Sequence, residues 1–319
     1  MDEFDLIKRY FQALESARGD VNIGIGDDAA IVAWDSADDM AIAVDTLVEG
    51  VHFPAGTAAD AVGYKAVAVN LSDFAAMGAM PRYATLALTL PRADADWLQA
   101  FANGMNKALV DADTVLVGGD TTRGPLTVTV QLVGQCEGAP MTRAGAEPDD
   151  VILVSGSLGD ARAGLNLLRG NRFPASDDEC ELIRRFLRPE ARLELGRVCR
   201  IHAHAAIDIS DGLLADVAHV MAASACRAEL EIEALPLSTA LVTTVERRRA
   251  MQYATAGGDD YELALCVPPT ALERVLEEAD RIAVPLTSIG RVVVGEGVIC
   301  LDADGADVTP YAKGYVHFD

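Results

Sequence analysis

The chain has 319 residues, half of them hydrophobic, with 49 acidic against 26 basic side chains and a net charge of −23. That length supports two domains of roughly 150 residues and a large core, which excludes a disordered chain or a disulfide-stapled mini-fold. The acidic balance excludes binding to a nucleic-acid backbone, which needs a basic face, and no uncharged apolar run reaches the roughly 18 residues of a membrane span.

In chain order, Phe4, Ile7, Phe11 and Leu14 recur at helical spacing over 2–15. The Met1-Asp2-Glu3 start has no signal-peptide character. Short apolar runs predict strands at 29–34, 40–44, 84–90, 114–117 and 126–133. In the last of these, Thr127, Thr129 and Gln131 alternate with Val128, Val130 and Leu132, the pattern of a half-buried strand. Helices are expected over 59–77, with Gly78 as C-cap and Pro81 beyond it, and over 94–111. The stretch EGAPMTRAGAEPDD (137–150) lacks periodicity and holds two prolines and two glycines. It marks the boundary between an N-terminal domain, 1–140, and a C-terminal domain, 141–319.

In the second half, strands are expected at 151–155, 205–209, 228–233, 261–267, 286–293 and 298–301. Helices are expected at 160–169, 178–187, 190–202, 212–225 and 270–282. Strands and helices mix without strict βαβ alternation, which argues for a mixed α/β (α+β) fold rather than a doubly wound sheet. The six cysteines, Cys136, Cys180, Cys199, Cys226, Cys266 and Cys300, show no C-x-x-C pairing. They read as buried thiols of a cytoplasmic protein, not as a zinc or disulfide framework.

The chemistry lies in the placement of aspartates. Asp27 and Asp28 stand in GIGDDAA, Asp45 ends MAIAVD, Asp120 follows TVLVGG, Asp208 and Asp211 lie in AIDISDG, and Asp259 and Asp260 in GGDDYEL. Each sits beside glycine or at the end of an apolar run, where a rigid scaffold presents a site. Taken singly, each reads first as a turn or N-cap residue, and it is their number that points to a site. Asp73 differs, because it lies on the helix face of Ala66, Val69 and Ala76, where a carboxylate needs a metal or an ion-pair partner such as Lys65. Clustered carboxylates with few His or Cys suit hard cations, Mg2+ or Ca2+. His202 and His204 form H-x-H without a partner cluster and read as ordinary helix-end residues. There is no P-loop, no dinucleotide fingerprint and no G-x-S-x-G elbow. Phosphates would therefore bind through carboxylate-held metals, and phosphoryl transfer needs little more than metal clamps, an Arg and in-line positioning.

Taken together, GIGDDAA (24–30), VDTLVEGVHF (44–53), YKAVAVNLSDFAAMGAMP (64–81), GGDTTRG (118–124), TRAGA (142–146), IDISDGL (207–213), GGDDYEL (257–263) and KGYVHF (313–318) resemble the thiamine-monophosphate kinase family of the aminoimidazole-ribonucleotide-synthetase-like superfamily. The eight pieces run in family order across nearly the whole chain. The resemblance implies transfer of the ATP γ-phosphoryl group to thiamine monophosphate, giving thiamine diphosphate and ADP. It also implies an N-terminal domain whose sheet pairs with its twin in a homodimer, a C-terminal α/β sandwich domain, and a site between the two. By motif, Asp28, Asp45, Asp73, Asp120, Asp208 and Asp211 resemble the Mg2+ ligands. Gly119, Asp120, Arg143 and Ser210 resemble the ATP contacts, and His52, Asp259 and Tyr315 the thiamine-phosphate pocket. Asp120, Arg143 and Asp211 are the residues expected to carry catalysis. Arg143 can fork onto phosphate oxygens, Tyr315 can stack on the cationic heterocycle and Asp259 can balance its charge.

The bland readings are a solvated linker arginine for Arg143, a core-edge histidine for His52, a packing residue for Tyr315 and an N-cap for Ser210. Two departures from the family pattern stand out. Ala43 and Val44 replace the usual Ser-Thr ahead of the strand-end Asp, and Asp259 replaces a Glu. Phe101–Met105 is a candidate adenine wall without a distinctive motif. The competing readings are another ATP-dependent synthetase of the superfamily, a carboxylate-metal phosphohydrolase, and a Ca2+-stabilised structural protein. A selenophosphate-forming enzyme would need an N-terminal cysteine, whereas the first here is Cys136.

Overall fold

The computed structural model describes residues 7–11, 19–23, 31–32, 38–170 and 173–310, and these divide into two compact units. The first comprises residues up to Phe74 together with Ala79–Gly138. The second comprises Ala75–Gly78 and everything from Ala139 onward.

The first unit holds the small pair β1 (Val21–Ile23) and β2 (Ile31–Val32) and a four-stranded sheet. The sheet consists of β3 (Asp39–Val48), β4 (Met80–Leu90), β5 (Val115–Arg123) and β6 (Thr127–Cys136), in the order β3-β6-β4-β5. Its β4–β5 pair is parallel and the rest antiparallel. Two helices, α1 (Ala59–Met77) and α2 (Ala95–Asp111), accompany it. Asp94 caps α2, accepting a hydrogen bond from Trp97 N–H. Val128, Val130 and Leu132 of β6 are fully buried while the residues between them are half-exposed, so the period-2 pattern of the sequence marks the covered face. Gly78 closes α1 with φ +65° and an N–H bond to Ala75 O, the left-handed C-terminal stop expected of it.

The second unit is built on a six-stranded sheet ordered β12-β9-β11-β7-β10-β8. Its strands are β7 (Val151–Ser155), β8 (Ala205–Asp208), β9 (Arg227–Glu231), β10 (Leu263–Val267), β11 (Leu286–Val293) and β12 (Gly297–Leu301). Only the β9–β12 pair is parallel. Its helices are α3 (Asp160–Arg169), α4 (Asp177–Leu187), α5 (Leu193–Cys199), α6 (Leu213–Ser224), α7 (Thr239–Thr244), α8 (Arg247–Ala256) and α9 (Leu272–Arg281). All five residues of β10 are buried, as a central strand covered on both faces requires. Ile152, Val154, Ala264 and Cys266 pack with α6 in one cluster, and Leu153, Leu263, Leu265 and Val267 pack with α5 and α9 in another. This is the mixed architecture expected from the element order.

Two helices, α7 and α8, escape a periodicity reading. Residues 239–256 combine the β-branched run Val242–Val245 with Arg247–Arg249, so no apolar helical stripe announces them. They are held by Ser238 and Glu246, whose side chains cap them, and by a small cluster around Leu241 and Ala250. The cysteines are free thiols, five of the six buried. No helix among the described residues is long and apolar enough to cross a membrane.

Candidate functional site

In the first unit, β3 and α1 bring two of the expected carboxylates together. Along β3, Met40, Ile42, Val44 and Thr46 are exposed, whereas Asp45 shares the opposite, covered face with Leu47. Asp73 reaches it from α1, and the two carboxyls are hydrogen-bonded. Burial raises the Asp45 pKa, and the bond with Asp73 opposes that rise. One turn before Asp73, the Asn70 amide donates to Ala66 O while its Oδ1, fully buried, has no hydrogen-bond partner. His52 lies in the turn after β3, its Nδ1 accepting from Val48 N–H at 2.9 Å. A neutral ring so bonded carries its proton on Nε2 and offers a donor there.

Gly119 and Asp120 occupy β5. A Cβ at Gly119 would lie 2.0 Å from Leu86 O, so only glycine lets β5 run this close to β4. The register aligns Asp45, Val130, Leu86 and Gly119 across the sheet. Asp120, one residue on, therefore stands on the opposite face, beside Ala87 and level with Thr46. Three strand spacings, about 14 Å, separate β5 from β3. Within this chain the sheet does not bring Asp120 to the Asp45–Asp73 pair. Asp28 and Tyr315 lie outside the described residues.

In the second unit, β8 ends on Asp208, which is buried, and the chain turns through Ile209–Gly212 into α6. Ser210 does not cap that helix. The N-cap is Gly212, at φ +120°, where a Cβ would come within 2.9 Å of the Ala256 carbonyl carbon. The capping work falls to Asp216, buried in the first turn. Its Oδ2 accepts from the N–H groups of Ser210, Asp211 and Gly212 at 3.1, 3.1 and 3.0 Å. Burial pushes the Asp216 carboxyl up to about 7, and the charges of Asp208 and Asp211 push the same way. The N–H groups of Asp211 and Gly212 pull it down. Sequence reasoning missed Asp216, whose signal is a lone carboxylate inside the apolar run LLADVAHVM.

Asp259 joins this group through the backbone. Its N–H donates to Ser210 O at 2.8 Å, Tyr261 N–H donates to Ile209 O at 2.8 Å, and Ile209 N–H returns a bond to Glu262 O. These bonds extend the β8–β10 ladder past Asp208 and lay GGDDYEL along AIDISDG.

Arg143, whose side chain is exposed, sits on a segment anchored at two points. Thr142 O accepts from Ala206 N–H, and Ser224 Oγ donates to Arg143 O while accepting from Gly145 and Ala146 N–H. Ala206 precedes Asp208 by two residues, about 7 Å of strand. His204 pairs its Nδ1 with both oxygens of the buried Asp150 at 3.0 Å, consistent with a structural histidine. Phe101 and Met105 are no adenine wall. Both are fully buried, with Trp97 stacked on Phe101, and Gly104 abuts Asp60 O so closely that a Cβ would clash at 1.8 Å.

Among the described residues no three His, Cys, Asp or Glu side chains gather closely enough to hold an ion unaided. Mg2+ commonly takes only one or two carboxylates and completes its shell with waters and substrate phosphates. The Asp45–Asp73 pair fits that habit, with an unsatisfied amide oxygen one turn away. So do Asp208 and Asp211, whose negative charges a cation would offset.

Comparison with known proteins agrees along the whole chain. Residues 26–136 match the AIR synthase related protein, N-terminal domain, and residues 147–301 the AIR synthase related protein, C-terminal domain. The thiamine-monophosphate kinase of Escherichia coli (strain K12) is 44% identical over 319 residues, covering 99% of this chain and 98% of the relative. The crystal structure of thiamine-monophosphate kinase from Stenotrophomonas maltophilia K279a superposes with a TM-score of 0.89 at 42% identity, covering 96% of this chain and 97% of that one. AaThiL complexed with AMPPCP and TMP superposes with a TM-score of 0.80 at 37% identity, covering 98% and 95%. Full-length identity of this order, on the fold just described, means that the chain belongs to the thiamine-monophosphate kinase family.

Proposed function

We propose that the chain transfers the γ-phosphoryl group of ATP directly to the phosphate of thiamine monophosphate, releasing thiamine diphosphate and ADP. The observation that carries this reading is the pairing of the two acidic loops, Asp208–Gly212 against Gly257–Glu262. They set Asp208, Ser210, Asp211 and Asp259 in one backbone-bonded group. The full-length relatives, one of them complexed with AMPPCP and TMP, support the choice of substrates.

In this reading Asp28, Asp45, Asp73, Asp120, Asp208 and Asp211 hold magnesium. Magnesium, when bound, would supply neutralisation of the phosphate charge. Gly119 and Asp120 sit beside the ATP phosphates. Arg143 forks onto phosphate oxygens, and its neighbours Thr142 and Ser224 fix the segment that carries it. Ser210 offers its hydroxyl to the nucleotide. His52, Asp259 and Tyr315 take the thiamine phosphate. The acceptor is a phosphate oxygen, ionised near neutral pH, so no side chain needs to act as general base. Positioning and charge neutralisation are the whole of the protein's task.

The same reading assigns domains of 1–140 and 141–319 and a cytoplasmic location, which suits free, buried thiols. It also assigns a homodimer formed through β3. That strand is an edge of its sheet and exposes Met40, Ile42 and Val44 at 51%, 58% and 59%, an apolar stripe that a second copy of the chain would cover. The test incubates purified protein with ATP, Mg2+ and thiamine monophosphate and follows both products. Equal amounts of thiamine diphosphate and ADP are expected. ADP without thiamine diphosphate would move the acceptor elsewhere, and neither product would end the kinase reading.

A further inference from the structure

The loop GGDDYEL has an unusual construction. Two alternate residues are buried carboxylates, Asp260 4% and Glu262 0% exposed, while their neighbours Asp259 and Tyr261 are half-exposed. Buried carboxylates are costly unless partnered; Glu262 is matched by two arginines, whereas Asp260 has two backbone N–H groups and burial still holds its carboxyl well above the ordinary range. Asp260 Oδ2 accepts from Gly159 N–H at 2.7 Å and its Oδ1 from Ala161 N–H at 3.1 Å, at the start of α3. Glu262 takes Arg185 Nη2 on Oε1 at 2.6 Å, Arg192 on both oxygens at 2.7 Å, and Ser155 Oγ on Oε2 at 2.6 Å. Two anchors therefore grip alternate residues of one short loop.

What they grip is backbone that side chains avoid. Asp259 has φ +72° and Tyr261 φ +52°. The left-handed region disfavours any non-glycine residue, and a bulky ring there is an outlier. Two glycines, Gly257 and Gly258, stand immediately before, so the turn itself does not need a tyrosine at 261. Strain of this kind survives only where its surroundings over-determine it, and it collects where a side chain must be presented. The presentation is specific: Tyr261 N–H bonds Ile209 O, so its backbone lies one strand spacing from the Asp208–Asp211 turn, two residues from the Asp259 carboxylate.

Asp259 and Tyr261, alternating with the buried Asp260 and Glu262, place a carboxylate and an aromatic residue on one side of the loop, the two group types that bind a flat organic cation. We propose that Tyr261 is a substrate-recognition residue whose ring takes the cationic heterocycle of thiamine monophosphate alongside Asp259, and that Asp260 and Glu262 are the positioning residues that hold it in left-handed backbone. This rests on the kinase reading above and adds to it the residue that distinguishes a cationic acceptor.

The test compares Tyr261→Phe, Tyr261→Leu, Tyr261→Ala and Tyr261→Gly by steady-state kinetics with Mg-ATP, by calorimetric titration with thiamine monophosphate, and by thermal melting. Phe keeps the ring and leaves KM for thiamine monophosphate within about twofold. Leu, Ala and Gly raise it about tenfold, with KM for ATP unchanged. Gly, released from the left-handed penalty, melts above Ala while binding no better, an inversion that a packing role would not produce. If the wild-type chain turns over and Tyr261→Leu retains its KM and calorimetric affinity, this assignment alone is overturned. If the wild-type chain neither binds nor phosphorylates thiamine monophosphate, the kinase reading falls with it.

Discussion

Glu262 is the most demanding electrostatic element of the second unit, and truncating it tests how the acidic loop is held. Its side chain is 1% exposed between the guanidinium groups of Arg185 and Arg192, themselves 9% and 14% exposed. Burial alone would raise its pKa, yet the Arg192 hydrogen bonds and the charges of both arginines hold it below the ordinary 4.5. Glu262→Ala removes four hydrogen bonds and leaves Arg185 and Arg192, both largely buried, with only longer contacts among the described residues, to Asp160 at 3.8 Å and Glu190 at 3.7 Å. Breaking a buried pair in this way costs about 3–5 kcal/mol, a large share of the roughly 5–15 kcal/mol that holds a domain folded. For a unit of this size, that is a fall in Tm of about 6–20 °C. Thermal melts of wild type, Glu262→Ala, Arg185→Ala and the double variant close a thermodynamic cycle. The double variant should be less destabilised than the two single variants summed, because the second truncation removes a charge that the first left stranded. A loss under about 1 kcal/mol for Glu262→Ala, or simple additivity, would refute the argument that Glu262 compensates these arginines. The pKa direction adds an acid limb. A carboxyl depressed on folding contributes stability that is present above its unfolded value and disappears as pH falls through its folded value. Wild type should therefore lose an increment below about pH 4.5 that Glu262→Ala never had.

Asp73→Asn and Asp120→Asn should each lower turnover strongly at limiting Mg2+, with part of the loss recovered at saturating Mg2+. A near wild-type rate at limiting Mg2+ would remove that residue from the ligand set. Asp216, pushed up to about 7 on folding, binds its proton more tightly folded than unfolded. Metal-free protein should therefore lose stability as pH rises from about 4 to about 7, and comparing melts at pH 5 and pH 8 should show Asp216→Asn with the smaller drop. An unchanged drop would mean that Asp216 is already ionised in the folded chain. Ile42→Lys should convert a dimer into a monomer in sedimentation velocity while the fold persists by circular dichroism. A dimer that survives it would place the contact away from β3.

Most elements were readable because their signals are local. The helix over 59–77 and the strands of both sheets follow from apolar spacing, and Gly78 stops its helix because only glycine sits easily at φ +65°. Helices α7 and α8 were not readable, because their stability comes from capping side chains and from Leu241 and Ala250 packing against distant α3 and α4 residues, Ala163 and Leu182. The candidate site divides in the same way. The motifs identified Asp45, Asp73, Asp208, Asp211 and Asp259 one by one, and the turns around Asp208, Asp211 and Asp259 were visible in their glycines.

The chain's family membership, its acidic surface, its mixed sheet-and-helix composition and the identity of its carboxylates were determined by the sequence alone, since each depends on residue type and order. Tertiary structure decided which of those carboxylates meet. Sheet register put Asp45 with Asp73 on one face and Asp120 on the other, a parity set by pairing across four strands rather than by any local pattern. It also decided that Asp216, and not Ser210, secures the turn after Asp208, and that Asp260 and Glu262 serve as buried anchors while Asp259 and Tyr261 remain accessible. In a run of four neighbouring polar residues, burial depends on which partners the rest of the fold brings to them, and Gly159, Arg185 and Arg192 are 70 to 101 residues away in sequence.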